Sequence, residues 1–355
     1  MNITVYLGAN EGNDPCLRNA VEELGTWIGN SGNALIYGGS KSGLMGAIAD
    51  SVLKAGGKVT GVEPNFFIEN KFQHDGLTRL IVTKDMPERK KKMIELGEAF
   101  IAFPGGTGTL EEITEVMSKV SLKHLDAPCI LYNLNGYYND LKALLNHMVE
   151  KGLSSNERQE GIYFAENLDD IKQILKLNRF VGMMTGHFDN KEQFDMMQKA
   201  GKIYPYAEHV NTICNDKIKN IPKDFNGKFV VEESYYETNG KRHASPHLFL
   251  ITETEDGILL SSYEIPAGED KNTFSYNSMK KVDYTELKKS EKFTPALYHE
   301  KNGIWEGGST SQFSPVMIFK LWEKFSDSCL EVSESMEVNG NRIFGYDEPI
   351  IYKRA

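Results

Sequence analysis

Cysteine is scarce in this sequence, with four residues among 355 and no CxxC pair. The four are Cys16, Cys129, Cys214 and Cys329. Such scattered cysteines argue against a zinc site and against the disulfide framework of a small secreted protein. We therefore expect reduced thiols, a cytoplasmic protein and no bound metal.

Long apolar runs and an excess of positive charge are also lacking. No apolar run approaches the ~20 residues that a membrane-spanning helix needs, so we expect no membrane partner. Residues 3–7 form a strand-like run, not the basic and apolar regions of a signal peptide. The net charge of −10 argues against a nucleic-acid partner. A local anion site built from backbone amides needs no net positive charge, so the composition still allows one.

Residues 2–178 alternate short apolar runs with amphipathic segments. Near-continuous apolar strands between helices are typical of a parallel sheet that is covered on both faces. The sequence therefore predicts a Rossmann-like α/β domain over residues 1–178. The predicted strands are 3–7, 34–37, 58–62, 77–83, 99–103 and 129–132, and the predicted helices are 15–29, 43–55, 86–98, 109–123, 137–151 and 167–177.

The pattern of the sequence changes after residue 179. β-rich runs take over, separated by turn dipeptides that are typical of hairpins. We expect a mainly antiparallel, calycin-like β-barrel over residues 182–355, since closure removes exposed sheet edges. The turn dipeptides are Asn239-Gly240, Asp256-Gly257, Asn302-Gly303 and Asn339-Gly340, and the predicted strands are 229–238, 247–254, 258–265, 297–300, 304–307, 329–338 and 342–346.

The first motif, residues 104–112, follows a predicted strand and opens a predicted helix. Gly105, Gly106 and Gly108 let the backbone turn sharply and approach a ligand closely. The free amides at a helix start, with the helix dipole, favour a phosphate. Thr107 adds a hydroxyl donor, as does Thr109. Ligands of parallel sheets bind at the carboxyl ends of the strands, where this motif lies.

The same motif has a purely structural interpretation as a tight strand-to-helix turn. Thr107 or Thr109 would then cap the helix, and Glu111 and Glu112 in the first turn would interact with its dipole. Glycine-rich turns are common, so this motif alone does not decide between the two interpretations.

Two further segments belong to the same sheet edge. Residues 37–46 contain glycines after a strand and enter a helix, but they match neither GxGxxG nor the Walker loop. They fit either helix–strand packing, with Ser42 as helix cap, or a second wall of a nucleotide crevice. In residues 86–90, Pro87 suits the first turn of a helix. Arg89 would lie near that helix start, where a guanidinium can hold a phosphate with two donors.

Together these segments resemble the Lonely Guy (LOG) family of cytokinin riboside 5′-monophosphate phosphoribohydrolases, often mislabelled as lysine decarboxylases. The family's PGGxGTxxE loop reads here as residues 104–112, and its upstream MxxRK as residues 86–90. Its GGxxxGLMG stretch fits residues 38–46, and its NxxGYY segment fits residues 133–138. The similarity covers roughly residues 2–178 in the family's order and spacing.

The resemblance implies hydrolysis of the N-glycosidic bond of an N6-modified AMP, giving free base and ribose 5-phosphate. Such cleavage passes through an oxocarbenium-like state. Glu112 matches the family's carboxylate, which stabilises that cation or activates water. Arg89 matches the other catalytic position and would support the leaving base or hold the nucleotide. The implied substrate-binding residues are Gly8, Asn10, Gly39, Ser40, Met45, Lys90, Gly105, Gly106, Thr107, Gly108, Thr109 and Glu115.

Two stretches depart from the family pattern. Gly97-Glu98 stands where members usually carry Ser-Asp. Further on, Lys119, Ser121 and Lys123 stand at the Trp, Gln and Gly of the usual Trp-Ala-Gln-Leu-Gly stretch, which often lies near the dimer interface and the base pocket. The glycosidic reaction class is therefore expected, while the base stays open between a cytokinin and a plain purine.

Short segments of the second domain resemble the CpcT/CpeT-type chromophore lyases, which are calycin-like barrels that hold a bilin. The segments are residues 186–190 with Gln193, residues 232–236 and residues 241–243. This resemblance implies a hydrophobic or tetrapyrrole ligand in the C-terminal barrel. The same residues also fit ordinary positions on a barrel wall.

The sequence leaves three functions open. They are a nucleotide N-glycosidase with an attached barrel, a non-catalytic nucleotide or small-ligand sensor, and a scaffold whose barrel delivers a tetrapyrrole or lipid-like ligand. Arg89 together with Glu112 favours the first, since pure binding needs the glycines but not that carboxylate. We expect a purine nucleoside monophosphate as substrate and no cofactor. The resemblance also implies a homodimer that forms through the N-terminal domain.

Overall fold

The computed structural model describes residues 1–222, 225–238, 240–301, 303–326 and 328–355. It divides into two compact units, Met1–Leu175 and Lys176–Ala355. Within the described ranges, none of the helices combines the length and the apolar character that crossing a bilayer requires.

The first unit alternates strands and helices. Its strands are β1 (Asn2–Tyr6), β2 (Ala34–Tyr37), β3 (Lys58–Pro64), β4 (Arg79–Thr83), β5 (Ala99–Ala102), β6 (Cys129–Tyr132) and β7 (Ile162–Ala165). Its helices are α1 (Cys16–Asn30), α2 (Gly43–Lys54), α3 (Asn65–Glu69), α4 (Met86–Leu96), α5 (Thr107–Ser121), α6 (Asn139–Glu150) and α7 (Asn156–Gln159), and α8 (Leu168–Met184) contains the boundary between the units.

The seven strands form one parallel sheet in the order β4-β3-β2-β1-β5-β6-β7. The chain runs outward from β1 to β4 and then returns to the other side of β1 with β5. The carboxyl ends of β1 and β5 therefore form the point where the strand order reverses, which is where open α/β sheets bind ligands.

Both faces of this sheet are covered, since every residue of β1, β2 and β5 is buried except Asn2 and Ala34, which are half-buried. One cluster packs α1 and α2 against one face through Leu24, Ile48 and Val52. Another packs α4 and α5 against the opposite face through Met93 and Ile113. The predicted Rossmann-like sheet with helices on both faces is confirmed.

Helix α5 begins earlier than the sequence predicted. The prediction started the helix at residue 109, whereas the structure starts it at Thr107 with Gly106 as the N-cap. Glu111 and Glu112 therefore lie beyond the first turn, which contains no acidic residue. The contacts that the structure gives them are tertiary, with Lys90 and Arg89 of α4.

The second unit consists mainly of strands. They are β8 (Gly186–Asp189), β9 (Tyr206–Ile213), β10 (Ile218–Lys219), β11 (Gly227–Thr238), β12 (Lys241–Ala244), β13 (His247–Thr254), β14 (Gly257–Tyr263), β15 (Val282–Asp283), β16 (Ala296–Lys301), β17 (Ile304–Ser314), β18 (Met317–Phe325), β19 (Cys329–Val338), β20 (Asn341–Gly345) and β21 (Ile350–Arg354), with the helix α9 (Lys191–Lys199) between β8 and β9.

Ten of these strands close into an antiparallel barrel. The order runs β11-β13-β14-β16-β17-β18-β19-β21-β8-β9, and β9 pairs back with β11. The predicted antiparallel barrel is therefore confirmed. At the Asn339-Gly340 turn both residues have positive φ, as a two-residue hairpin turn requires. Asn239 and Asn302 of two other predicted turns lie outside the described residues.

Four barrel strands, β8, β9, β18 and β21, were not predicted. In β9 the inward positions are buried, yet two of the three are polar: Ala207, His209 and Asn211. A strand with polar residues on its buried face lacks the alternation by which half-buried strands are recognised.

The barrel core is centred on an aromatic side chain from α8. Phe180 is fully buried, and its ring centroid lies 5.1 Å from that of Tyr298 and 5.2 Å from those of Trp305 and Phe325. Aromatic pairs at such distances add to the stabilisation from apolar burial. The C-terminal part of α8 is thus an element of the barrel core.

Replacing Phe180 with alanine should destabilise the second unit by about 3–5 kcal/mol, because it leaves a cavity among three aromatic rings. Urea unfolding followed by tryptophan fluorescence measures the change. Ile343→Ala is the matched control, since Ile343 lies in β20 and is 60% exposed. Equal unfolding midpoints for the two variants would contradict this description of the core.

Candidate active site

Glycine-containing segments meet at the carboxyl edge of the sheet. β1 leads to Gly8, β2 to Gly38 and Gly39, and β5 to the glycine loop, which we define as residues 104–109. A Cβ added at Gly43 would lie 1.7 Å from the carbonyl oxygen of Ala9, so only glycine allows that contact. The segments after β1 and β2 are therefore packed backbone to backbone.

The glycine loop presents an uncapped helix start. Its N-cap is Gly106, which has no side chain, so the predicted alternative of Thr107 or Thr109 as the cap is wrong. The first amides of α5 have no partner inside the helix, as at any helix start. A Cβ added at Gly106 or Gly108 would meet no described atom within 4 Å. Gly106, Thr107 and Gly108 are exposed, so an anion can approach this helix start.

Contacts from both sides fix the shape of the glycine loop. A Cβ added at Gly105 would lie 2.3 Å from Oγ1 of Thr109, which is buried. The Tyr137 hydroxyl donates to the Gly105 carbonyl oxygen at 2.5 Å. The Tyr138 hydroxyl donates to the Phe103 carbonyl oxygen at 3.0 Å. The loop is therefore held in its conformation by the chain itself, without a ligand.

A buried ion pair lies beside the glycine loop. Nη1 of Arg89 lies 2.6 Å from Oε1 of Glu112, and the two residues are only 9% and 8% exposed. Nε of Arg89 also donates to the Val62 carbonyl oxygen at 3.0 Å. The guanidinium thus bridges β3 and α5. The sequence placed both residues at one site, and the structure brings them into direct contact.

Burial raises the pKa of Glu112, and the positive charge of Arg89 opposes that rise. Burial also raises the pKa of the Tyr6 hydroxyl, and the Glu112 carboxylate raises it further. Tyr6, at the end of β1, is 1% exposed, and the sequence analysis did not single it out. A carboxylate held in such a poorly hydrated site can stabilise a cation that forms next to it.

Gly38 and Met45 form the wall against Arg89. A Cβ added at Gly38 would lie 2.3 Å from Nη2 of Arg89 and 2.5 Å from Cε of Met45. Any larger residue at position 38 would displace the guanidinium. The predicted wall at residues 37–46 therefore contacts the ion pair directly.

Lys90 and Glu115 belong to a second charged group on the solvent side. Nζ of Lys90 lies 2.6 Å from Oε1 of Glu111 and 3.4 Å from Oε2 of Glu115. Nζ of Lys119 lies 4.0 Å from Oε1 of Glu115. The two Lys90 pairs join α4 to α5, and the Lys119 pair lies within α5. Lys90 and Glu115 thus have structural partners besides any substrate.

The remaining predicted residues lie in the segments that follow β1 and β2. Gly8 is half-buried and Asn10 is exposed, next to the backbone of Gly43. The carbonyl oxygen of Ser40 accepts a hydrogen bond from the Tyr37 hydroxyl at 3.2 Å. Their roles toward a substrate stay predictions.

The sequence analysis missed one buried carboxyl group. Glu63 lies at the end of β3, is 2% exposed, and its Oε2 has no hydrogen-bond partner within the described part of the chain. The predicted strand stopped at residue 62, one residue before it. A charged residue directly after a buried apolar strand, at a sheet edge that binds ligands, was the signal that could have revealed Glu63.

Two of the segments that resemble chromophore lyases contribute to the barrel strands β8 and β11, whereas Gln193 lies in α9 and residues 241–243 lie in β12, outside the ten barrel strands. The Arg242 guanidinium lies 4.1 Å from the Tyr235 ring centroid, and its Nη2 lies 2.9 Å from Oε2 of Glu208. A cavity of about 820 Å³ lies over β16–β20, with Trp322 and Arg342 in its lining. A barrel ligand stays a prediction.

The N-terminal half of the chain is similar in sequence to known proteins. Residues 45–175 match a family described as "Possible lysine decarboxylase". The cytokinin riboside 5′-monophosphate phosphoribohydrolase of Rhodococcoides fascians is 38% identical over 169 residues, which are 47% of this chain and 85% of that protein. The enzyme of the same name, LOG1, of Arabidopsis thaliana is 35% identical over 179 residues, 50% of this chain and 83% of that protein. The chain belongs to this phosphoribohydrolase family, as the sequence motifs predicted.

The likeness of this chain to a solved phycobiliprotein lyase is weak. The T-type phycobiliprotein lyase CpeT from Prochlorococcus phage P-HM1 covers 50% of this chain and 97% of its own, at 10% identity and a TM-score of 0.31. A likeness at that score supports no statement about the ligand of the barrel.

Replacing Arg89 with methionine should destabilise the first unit by about 3–5 kcal/mol at pH 8, because Glu112 then keeps a buried charge without its partner. Removing Arg89 raises the pKa of Glu112 further, since the arginine lowers it. A group whose pKa is raised in the folded state stabilises the fold at low pH, where it is protonated, and this stabilisation is lost as pH rises. The loss of stability in R89M should therefore be smaller at pH 5 than at pH 8. Urea unfolding at both pH values measures it.

The double variant R89M/E112Q is the matched control for this ion pair. Glutamine removes the unpaired charge, so the double variant should recover most of the lost stability at pH 8. A double variant that is as unstable as R89M would show that packing of the arginine, and not its charge, matters.

Proposed function

We propose that this chain hydrolyses the N-glycosidic bond of a purine nucleoside 5′-monophosphate, giving free base and ribose 5-phosphate. The observation that carries the proposal is the buried pair of Arg89 and Glu112 beside the uncapped start of α5. A protein that only binds nucleotides needs the anion site, but it gains nothing from a carboxylate buried at a cost in free energy.

The 5′-phosphate would bind the free amides of residues 105–109, with the hydroxyl groups of Thr107 and Thr109 as further donors. Backbone amides and the dipole of α5 favour a dianion there without any net positive charge. This explains how a chain with a net charge of −10 binds a nucleotide.

Glu112 would act at the anomeric carbon. Positive charge develops on the ribose as the bond to the base breaks, and a nearby carboxylate stabilises it. The same carboxylate can take the proton of the attacking water. Its contact with Arg89 favours the ionised form, because the guanidinium lowers the pKa that burial raises.

Arg89 has two roles in this proposal. It holds Glu112 in place at 2.6 Å, and its position between Gly38 and α5 puts it at the rim of the nucleotide crevice. We assign Gly8, Asn10, Gly39, Ser40 and Met45 to the walls of that crevice, and Lys90 and Glu115 to its solvent-side edge.

The identity of the base in the substrate is the part of the specificity that stays open. The two relatives named above are called cytokinin riboside 5′-monophosphate phosphoribohydrolases. In this chain the C-terminal part of α5 carries Lys119, which pairs with Glu115, followed by Ser121. Because charged and polar residues stand there, we propose that the enzyme accepts plain AMP as well as N6-modified AMP.

Incubation with AMP and with N6-isopentenyl-AMP, followed by an assay for ribose 5-phosphate, tests the activity. Glu112→Gln should lower kcat/KM by about 10²-fold or more, because acid–base groups contribute that much. Glu95→Gln is the matched control, since Glu95 is an exposed carboxylate on α4 that pairs with Lys92. Activity that survives in E112Q at the level of E95Q would refute the role of Glu112.

We also propose a homodimer that forms through the first unit. Exposed leucines lie on two of its helices, Leu110 on α5 and Leu144 on α6, at 43% and 50% exposure. Light scattering should give about twice the chain mass of 40.0 kDa. Leu144→Glu should lower that mass, whereas Leu153→Glu, at an 81% exposed position, should not. A wild-type mass near one chain would overturn this proposal.

A further inference from the structure

Glu63 is the buried acid that the proposed mechanism leaves without a task. It is the penultimate residue of β3 and follows Val62, whose carbonyl oxygen accepts a hydrogen bond from Arg89. Glu63 is therefore the next residue in the chain after one that contacts Arg89 of the catalytic pair. It lies at the same carboxyl edge of the sheet as Gly39.

The backbone at Gly39 makes room for this carboxyl group. A Cβ added at Gly39 would lie 3.1 Å from Cδ of Glu63, and Gly39 has a φ of +90° that side-chain-bearing residues rarely adopt. The turn after β2 thus has the conformation and the small size that a carboxyl group packed against it requires. Gly39 and Glu63 together form one wall of the crevice.

No described residue donates a hydrogen bond to the buried Oε2 of Glu63. Oε1 of Gln73 is likewise buried without a partner among the described residues, and Gln73 bridges to Ser40 in the same turn. Orphaned buried oxygens are rare in folded proteins. Two of them beside one turn indicate that a ligand supplies the missing partners.

Glu63 and Glu112 differ in their surroundings. Glu112 contacts Arg89 directly, which favours the ionised form. Glu63 feels Arg89 more weakly, and burial raises its pKa to about 6. The other titratable group coupled to Glu63 is the Tyr37 hydroxyl on β2, whose pKa the Glu63 charge raises. Two carboxyl groups in such different surroundings can serve as the acid and the base of one site.

The proposed reaction needs such an acid. When the bond between C1′ and the purine breaks, the electron pair stays on the base, and a purine anion is a poor leaving group. A proton delivered to a ring nitrogen makes it a good one. We propose that Glu63 is this proton donor, an inference that rests on the proposed N-glycosidase activity.

The step balances without any further reactant. The C1′–N9 bond breaks, and the Glu63 carboxyl group transfers its proton to N7 of the departing base. Water adds to C1′ and loses a proton to Glu112. Glu112 then returns that proton to solvent, and Glu63 takes one up, which restores both groups for the next turnover.

The decisive variant is Glu63→Gln, assayed on two substrates. The first is the purine nucleotide that the wild type cleaves fastest. The second is 4-nitrophenyl riboside 5-phosphate, whose nitrophenolate leaves without a proton. E63Q should lose about 10²-fold in kcat on the purine nucleotide and change little on the nitrophenyl substrate. E95Q should match the wild type on both.

The outcomes separate the possible failures. Equal loss on both substrates would make Glu63 a structural or positioning residue and overturn the proposal, as would undiminished cleavage of the purine nucleotide. A wild type that cleaves neither substrate would overturn the proposed function itself.

Two further readouts exclude a folding artefact. The wild-type rate should fall as pH rises through the Glu63 pKa of about 6, and E63Q should lack that limb. Because the pKa of Glu63 is raised in the folded state, ionised Glu63 opposes folding above that pH. E63Q should therefore be at least as stable as the wild type at pH 8. A less stable E63Q would contradict the unpartnered state of Glu63.

Discussion

The ion pair between Arg89 and Glu112 is the interaction on which the rest of the first unit depends. Two charges at 9% and 8% exposure are costly to bury, and only a close contact with further hydrogen bonds offsets that cost. The Val62 carbonyl oxygen accepts a further hydrogen bond from Arg89, and Gly38 leaves room for the guanidinium. A chain that needed only stability would place apolar side chains there instead.

The topology of the sheet explains why this pair lies beside an anion site. Arg89 comes from α4, Glu112 from α5, and the glycine loop connects β5 to α5. Since β5 lies next to β1, at the reversal of strand order, these elements converge on one crevice. A phosphate on the helix start would then place the sugar of a nucleotide next to the carboxylate. Glu63 reaches the same crevice from β3 and gives the proposed reaction an acid as well as a base.

The sequence predicted the first unit well because its strands are apolar and its glycines follow them directly. It placed Arg89 and Glu112 at one site only through a family resemblance, and it did not predict their contact, since spacing in the chain does not show which helices meet. Glu63 was not predicted, because a buried oxygen without a hydrogen-bond partner is visible only in the packing. Strand β9 escaped because His209 and Asn211 are buried in the barrel, against the expected alternation.

The central claim is that the Arg89–Glu112 crevice breaks a bond to the base and not a bond to the phosphate. Mass spectrometry of the products from AMP distinguishes these directly. The account predicts adenine and ribose 5-phosphate in equal amounts from the wild type, and unreacted AMP from E112Q. Adenosine with free phosphate, or AMP left intact by the wild type, would contradict it.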